Sequence, residues 1–293
     1  MKEEKNIRTI LVTGANGQLA NEIKDLSSDY PGFQFIFATR RDLPIEDEKA
    51  VEKVFQDQSI HYCINCAAYT AVDKAESENE KAFLINSEAV GNLAAICKKN
   101  ETQFIHISTD YVYDGSKGSP LKETDAVGPI NIYGRSKLKG EELALENNPS
   151  SLVIRTSWVY SSYGANFVKT MLRLFSEKEE INVVKDQVGS PTYAADLASV
   201  ILLFVKKMEA GEHFSGIYNY SNSGNTNWYE FAQTIKEISN SYCTILPSSS
   251  ATYITPAERP LYSVLDTSKI KKALQIEIPD WKDSLKKCMA KII

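Results

Sequence analysis

The stretch "IRTILVTGANGQLA" constrains the fold more than any other part of the chain. A short apolar, β-branched run stops at Gly14, and a helix-like pattern with Leu19, Ile23 and Leu26 comes directly after it. Small residues at Gly14, Gly17 and Ala20 fall where a strand exits and a helix opens, the place where backbone can approach a pyrophosphate closely. A ligand-free βα turn is the plain alternative, so the turn needs support from residues further along the chain.

The alternation continues. After the first strand come "FQFIFATR", a helix around Ala50 to Phe55, the strand "IHYCINCAA", and a long helix from about Glu80 to Lys99. The strand "QFIHISTD", a helix carrying "YGRSK" and the strand "SLVIRTSWVY" come next. Strands separated by helices need crossovers, which makes the sheet parallel and covers both its faces. The expected fold class is therefore α/β, a doubly wound parallel sheet of the Rossmann kind with ligands beyond the carboxyl ends of its strands.

Past about residue 160 the rhythm loosens into Gly/Pro loops, two strand-then-helix segments and a Ser/Thr/Pro-rich stretch near 243–260. We expect residues 1–160 to form the dinucleotide-binding domain, with elements at about 181–220 returning to it. Residues 161–293 would then form mainly a smaller, discontinuous C-terminal substrate lobe. No internal repeat or low-complexity tract interrupts this plan.

Bulk properties exclude several classes. A chain of 293 residues can bury a large core, and 43% hydrophobic with 24% charged residues is ordinary globular composition. A net charge of -5 argues against nucleic acid or an anionic membrane as partner. The polar start "MKEEKN" and the lack of any membrane-length apolar run suggest a cytoplasmic protein. Five scattered cysteines do not form a disulfide framework. Cys63 and Cys66 make a CxxC with no second pair at zinc spacing, and a buried strand exit is the better reading. His61, His106 and His213 are expected to be structural.

Two motifs carry chemistry. The second strand ends "FATRRD", where Arg40 and Arg41 suit a ribose 2′-phosphate and favour NADPH, while Asp42 keeps NADH open. On a helix, Tyr133 and Lys137 of "YGRSK" lie one turn apart on one face, and an ammonium near a phenol lowers its pKa. Spacing alone would leave that pair as surface decoration. The preceding "HISTDYVYDG" changes this by putting the Thr109 hydroxyl at the carboxyl edge of the sheet, so that Thr109, Tyr133 and Lys137 form an acid site for hydride transfer.

The blocks "VTGANGQLA", "NCAAYTAVDKAE", "STDYVYDG", "YGRSKLKGE", "RTSWVY" and "DQVGSPT" together resemble the extended short-chain dehydrogenase/reductases. Within them they are similar to the branch that reduces dTDP-linked 4-keto-6-deoxy sugars. The resemblance is clear from about Ile10 to Ala195 and more diffuse beyond.

It implies that Gly14, Gly17, Gln18 and Leu19 hold the cofactor phosphates, with Asp42 and Leu43 near the adenosine. Ala67, Ala68, Tyr69 and Thr70 would line the dinucleotide. Thr109, Tyr133 and Lys137 would be catalytic, with Lys137 also bonding the nicotinamide ribose. Asp110 and Trp158 would face the sugar nucleotide, as would Asn166, Gln187 and Arg259 on weaker grounds; capping, loop bonding and surface charge are the respective alternatives for those three.

The expected substrate is a dTDP-sugar and the expected reaction is reduction of its C4 ketone. A dehydratase would need an Asp-Glu pair after the threonine, whereas Asp110 and Tyr111 stand there. A 4-epimerase with tightly held NAD, or a non-catalytic dinucleotide-binding subunit, are the competing readings. Some members dimerise around magnesium held by acids of both subunits. Glu22 could correspond to one such acid, but Ala195 stands where another is needed, so no metal is assigned and both monomer and homodimer stay open.

Overall fold

The computed structural model describes residues 7–293. Along the chain, β1 (Arg8–Thr13), α1 (Gln18–Leu26), β2 (Phe33–Ala38), α2 (Glu48–Asp57) and β3 (Tyr62–Asn65) open the fold. Two short helices, α3 (Val72–Ala75) and α4 (Asn79–Phe83), lead to α5 (Ala89–Lys99), β4 (Gln103–Thr109), α6 (Ile132–Asn147) and β5 (Leu152–Thr156). Then come β6 (Val159–Tyr160), α7 (Phe167–Glu177), β7 (Glu180–Val184), β8 (Val188–Gly189), β9 (Thr192–Tyr193) and α8 (Ala194–Glu209). The chain closes with β10 (Gly216–Tyr220), β11 (Thr226–Asn227), α9 (Trp228–Ser239), β12 (Thr244–Ser248), α10 (Ser268–Leu274) and α11 (Trp281–Met289).

Six strands form one parallel sheet in the order β10-β5-β4-β3-β1-β2. The chain leaves β1 toward β2 and then crosses back to place β3 on the other side of β1. That reversal opens a crevice at the carboxyl ends of β1 and β3, where doubly wound sheets bind ligands. Both faces are covered, which is why the central strands read as continuous apolar runs. Ile10, Val12, Ile64, Ile105 and Ile154 pack with Ile23 of α1 and Leu197, Ile201 and Phe204 of α8. Leu11, Cys63 and Phe104 pack with Val51 and Phe55 of α2 and Leu93 and Ala94 of α5.

Residues 194–220 lie on this sheet as α8 and β10, whereas Ile181–Val184 pair in parallel with β12 away from it. Two further ladders, β8 with β11 and β6 with β9, surround a third apolar cluster. Its centre is Tyr160, Met171, Phe231, Ile235, Trp281 and Leu285, which knits α7, α9 and α11 together.

Local chemistry sets the helix starts. Asp47, Asn131, Asn166 and Asn227 each accept a hydrogen bond from a backbone N–H in the first turn of the helix they precede. The expected single helix from Glu80 to Lys99 is instead interrupted by a π-helical turn at Leu84–Glu88. The wider turn carries buried Asn86, whose carboxamide accepts from Tyr69 N at 2.8 Å and donates to Tyr69 O at 3.0 Å and Ser136 Oγ at 3.0 Å. One side chain thus ties the β3 exit to α6. A second tie is the buried pair of Arg155 on β5 with Glu141 on α6, joined by bonds of 2.9, 3.1 and 2.6 Å. Among the described residues no helix is long and apolar enough to cross a membrane.

Candidate active site

A cleft of about 800 Å³ opens beyond the carboxyl ends of β1, β3, β4 and β5. Its floor begins at Gly14, whose φ of +67° and whose separation of 2.7 Å between a built Cβ and Ala67 N exclude a side chain. Gly17 caps α1 with no side-chain bond, which leaves the first N–H groups of that helix to an anion. Gly14, Gly17, Gln18, Leu19, Arg40, Leu43, Ala67, Ala68 and Thr70 all line the cleft, a strip from the switch point to the end of β2. A cradle that a Cβ would fill, facing uncapped N–H groups, fits a dinucleotide.

Not every residue expected on this side faces it. Arg41 is exposed and outside the cleft. Asp42 serves its own turn: its carboxylate accepts from Thr39 N at 3.1 Å and Thr39 Oγ1 at 2.6 Å, bonds that hold it below the usual carboxylate range. Arg40 does line the cleft and is paired with Glu46 at its rim. Tyr69 buries its ring away from the cleft with Lys81 of α4 over it, and its backbone is held by Asn86.

Thr109, Asp110, Tyr133 and Lys137 meet at the end of β4. Asn131 sets the phase of α6 by accepting from Gly134 N at 2.7 Å, which turns Tyr133 and Lys137 toward the sheet. Lys137 is buried, and its Nζ donates to Ile107 O at 2.6 Å and lies 3.2 Å from His106 Nε2. Burial pulls this lysine down to about 8, against the opposing pull of Glu141.

The expected lowering of the Tyr133 pKa is not found. Burial pushes the phenol up to about 12, the Thr109 hydroxyl offsets only part of that, and the Asp110 carboxylate adds to it. The reason is that Lys137 is directed at β4 backbone and His106, so its charge is not spent on the phenol. Asp110 is pushed up to about 7 by burial, although bonds from Ser263 and Thr109 pull it back.

The opposite wall is aromatic. Trp158, held at φ +48°, stacks on Trp228 with ring centroids 3.6 Å apart. Both line the cleft, and Gly189 of "DQVGSPT" leaves the room, because a Cβ there would sit 2.6 Å from the Trp158 ring. Gln187 is behind this wall, accepting from Trp228 Nε1 at 3.1 Å and donating to Ser250 Oγ at 2.9 Å.

Asn166 caps α7 and donates to Gln18 Oε1 at 2.9 Å. Arg259 forks onto Asp73 with two bonds of 2.7 Å. The structure therefore gives Asn166, Gln187 and Arg259 partners within the protein and leaves them off the cleft surface. Trp228 was missed from sequence because it lies 70 positions from Trp158 and no spacing rule links them.

The acid considered for magnesium is committed elsewhere. Glu22 accepts from Ser161 Oγ at 2.6 Å and Lys291 Nζ at 3.4 Å, and Ala195 offers no donor. Among the described residues no group of three His, Cys, Asp or Glu is placed to hold a metal. These residues do not fit a magnesium ligand set.

The model of the family described as RmlD substrate binding domain matches residues 8–293. The chain belongs to that family. Curated relatives include the dTDP-4-dehydrorhamnose reductase of Aggregatibacter actinomycetemcomitans, 38% identical over 96% of this chain and 98% of its own length. Another is the spore coat polysaccharide biosynthesis protein SpsK of Bacillus subtilis (strain 168), 42% identical over 94% of this chain and 95% of its own. Among solved structures, dTDP-4-dehydrorhamnose reductase from Bacillus anthracis str. Ames in complex with NADP superposes with a TM-score of 0.92 at 36% identity, covering 97% of this chain and 99% of that one. Family membership extends over nearly the whole described chain, so the glycine turn, the cluster of Thr109, Tyr133 and Lys137, and the indole wall all fall inside it.

Proposed function

We propose that the chain is a dTDP-4-dehydrorhamnose reductase. It reduces the C4 ketone of dTDP-6-deoxy-L-lyxo-4-hexulose to dTDP-L-rhamnose, a step of polysaccharide precursor synthesis, with NADPH and with NADH as a second donor. The observation that carries the reading is the junction in one cleft of the Gly14 turn with Thr109, Tyr133 and Lys137. The names of the relatives support the substrate class.

A nicotinamide dinucleotide in this cleft supplies the hydride. The residues of the chain do the rest. Gly14, Gly17 and the opening turn of α1 hold phosphates, Arg40 meets a ribose phosphate, and Ala67 to Thr70 form the side wall. Tyr133, protonated across the neutral range because burial holds its pKa near 12, gives its hydroxyl proton to the C4 oxygen as negative charge develops there. Thr109 bonds the same oxygen, and Lys137 would bond the nicotinamide ribose. Asp110 accepts from sugar hydroxyls, and Trp158 with Trp228 gives the sugar an apolar wall. Of these, Trp228 comes from the expected C-terminal lobe, and Asp110 and Trp158 come from the ends of β4 and β5.

The test is reconstitution. dTDP-glucose is converted with a 4,6-dehydratase and a 3,5-epimerase, this protein is added, and NADPH and NADH oxidation are monitored separately with product analysis. Turnover with dTDP-L-rhamnose formed is expected. Stoichiometric NAD copurifying with C4 inversion and no external NADPH consumed would instead assign an epimerase, and binding of NADPH without any oxidation would assign a non-catalytic subunit.

A further inference from the structure

Among the described residues that line the cleft, the acidic and basic side chains are Arg40, Glu46, Asp110 and Lys137. Asp110 and Lys137 meet at the end of β4, which leaves one cation and one carboxylate, Arg40 and Glu46, beyond the end of β2. A dinucleotide whose pyrophosphate lies at the start of α1 brings its adenosine ribose to that end of the cleft.

The two side chains are held unequally. Leu43 and Ile45, just before Glu46, are buried in the core. Asp47, just after it, donates its N–H to Pro44 O at 3.0 Å and caps α2 by accepting from Ala50 N at 3.1 Å. The backbone at Glu46 is thereby fixed, and its side chain is 18% exposed. Arg40 lies two residues past the end of β2 with a side chain that is 64% exposed, and its guanidinium reaches across the turn to the Glu46 carboxylate. In this pair the carboxylate is the fixed arm and the guanidinium the movable one, since an ion pair so open to water restrains its long partner only weakly.

The two nicotinamide dinucleotides differ at the adenosine ribose alone. NADH presents a 2′-hydroxyl, a donor that a carboxylate accepts. NADPH presents a 2′-phosphate, whose charged oxygens attract a guanidinium and are repelled by a carboxylate. Asp42, to which the sequence pattern gave the ribose, is outside the cleft lining and bonded to Thr39.

We propose that Glu46 is the residue that sets the choice between NADPH and NADH. With NADH, its carboxylate accepts from the ribose hydroxyl and keeps Arg40, because two carboxylate oxygens have lone pairs enough for both donors. With NADPH, the phosphate draws Arg40 to itself and lies against an unpaired Glu46, whose repulsion offsets part of the gain. The pair lets one cleft use both hydride donors, and neutralising the carboxylate tips it toward NADPH.

The proposal rests on the reductase reading, but its test is binding and needs no sugar nucleotide. The Kd of NADPH and the Kd of NADH are measured by fluorescence titration on the unaltered protein and on Glu46→Gln, which removes the charge and nearly keeps the shape. In Glu46→Gln, NADPH is expected to bind about tenfold more tightly, for the loss of one like charge beside the phosphate. NADH is expected to bind about threefold more weakly, for the exchange of a charged acceptor for a neutral one. Opposite signs for two ligands that share every other group cannot come from a general loosening of the turn, which would weaken both.

Parallel weakening of the two would therefore reduce Glu46 to a structural role and overturn the proposal. An unchanged ratio in Glu46→Gln overturns it as well, and a shifted ratio in Asp42→Asn alone would return the ribose to Asp42. In each of these outcomes both dinucleotides still bind and the reductase reading stands. Binding of neither dinucleotide by the unaltered protein would overturn that reading and this proposal together.

Discussion

Trp158 and Trp228 lie face to face, ring planes 7° from parallel, although one leaves the end of β5 and the other begins α9. The Trp228 indole N–H is held by Gln187, so the pair acts as one rigid wall of the cleft. Trp228→Ala should therefore raise KM for the sugar nucleotide about tenfold, the equivalent of one aromatic contact, and leave KM for NADPH unchanged. Steady-state kinetics with each substrate varied checks it, and equal rises in both constants would assign Trp228 to general packing.

Tyr133→Phe removes the proposed acid and nothing else of comparable size. Its kcat should fall by roughly two to four orders of magnitude, with NADPH affinity by fluorescence titration close to wild type. Because Tyr133 is held near 12, no loss of rate from its ionisation is expected between about pH 6 and pH 9.

Asp110 makes stability depend on pH. Its folded-state value of about 7 lies above the unfolded value of about 4, so the folded protein takes up a proton in that window. The contribution is complete below about pH 4 and is lost as pH rises through about 7, a change of roughly 3 to 4 kcal/mol. Asp110→Asn does not titrate. Urea unfolding of both proteins between about pH 4 and pH 8 should show the variant gaining on the wild type with rising pH, and a constant difference would remove Asp110 as the cause.

Arg155 and Glu141 are 3% and 2% exposed at their side chains, so removing one leaves a buried charge without its partner. Glu141→Ala should cost about 3 to 5 kcal/mol in denaturant unfolding. Arg155→Met combined with Glu141→Leu should recover most of it. Since Glu141 shares α6 with Tyr133 and Lys137, Glu141→Ala should also lose activity per folded molecule, beyond what its stability explains.

Arg40 and Arg41 should separate cleanly. Only Arg40 faces the cleft, so Arg40→Ala should lower kcat/KM for NADPH about tenfold and hardly change NADH, as loss of one charged phosphate contact predicts. Arg41→Ala should change neither.

Much of the fold was legible because parallel strands and their crossover helices write themselves as period and punctuation. "IRTILVTG", "IHYCINCAA" and "QFIHISTD" are apolar because both faces of the sheet are covered, and each of them is a strand of the sheet. The Gly14 turn was legible for the same reason: a left-handed φ beside a neighbouring backbone admits only glycine. Helix phase on α6 placed Tyr133 and Lys137 on one face.

The rest was decided by distance in space. Sequence spacing puts Lys137 beside Tyr133, but the position of its Nζ is set by Ile107 O and His106, contributed by a strand some 30 residues earlier. The sequence pattern points Asp42 at a ribose, yet Thr39 three residues away claims its carboxylate. Gln187 and Arg259 carry the right chemistry for a ligand and spend it on Trp228 and Asp73. The amino-acid sequence by itself determined which backbone can form and that the Gly14 turn, Thr109, Tyr133 and Lys137 come to one edge of the sheet. Which polar group bonds which, and hence what charge each carries, was decided only by tertiary structure, because hydrogen bonds and burial act over a few ångströms whatever the separation along the chain.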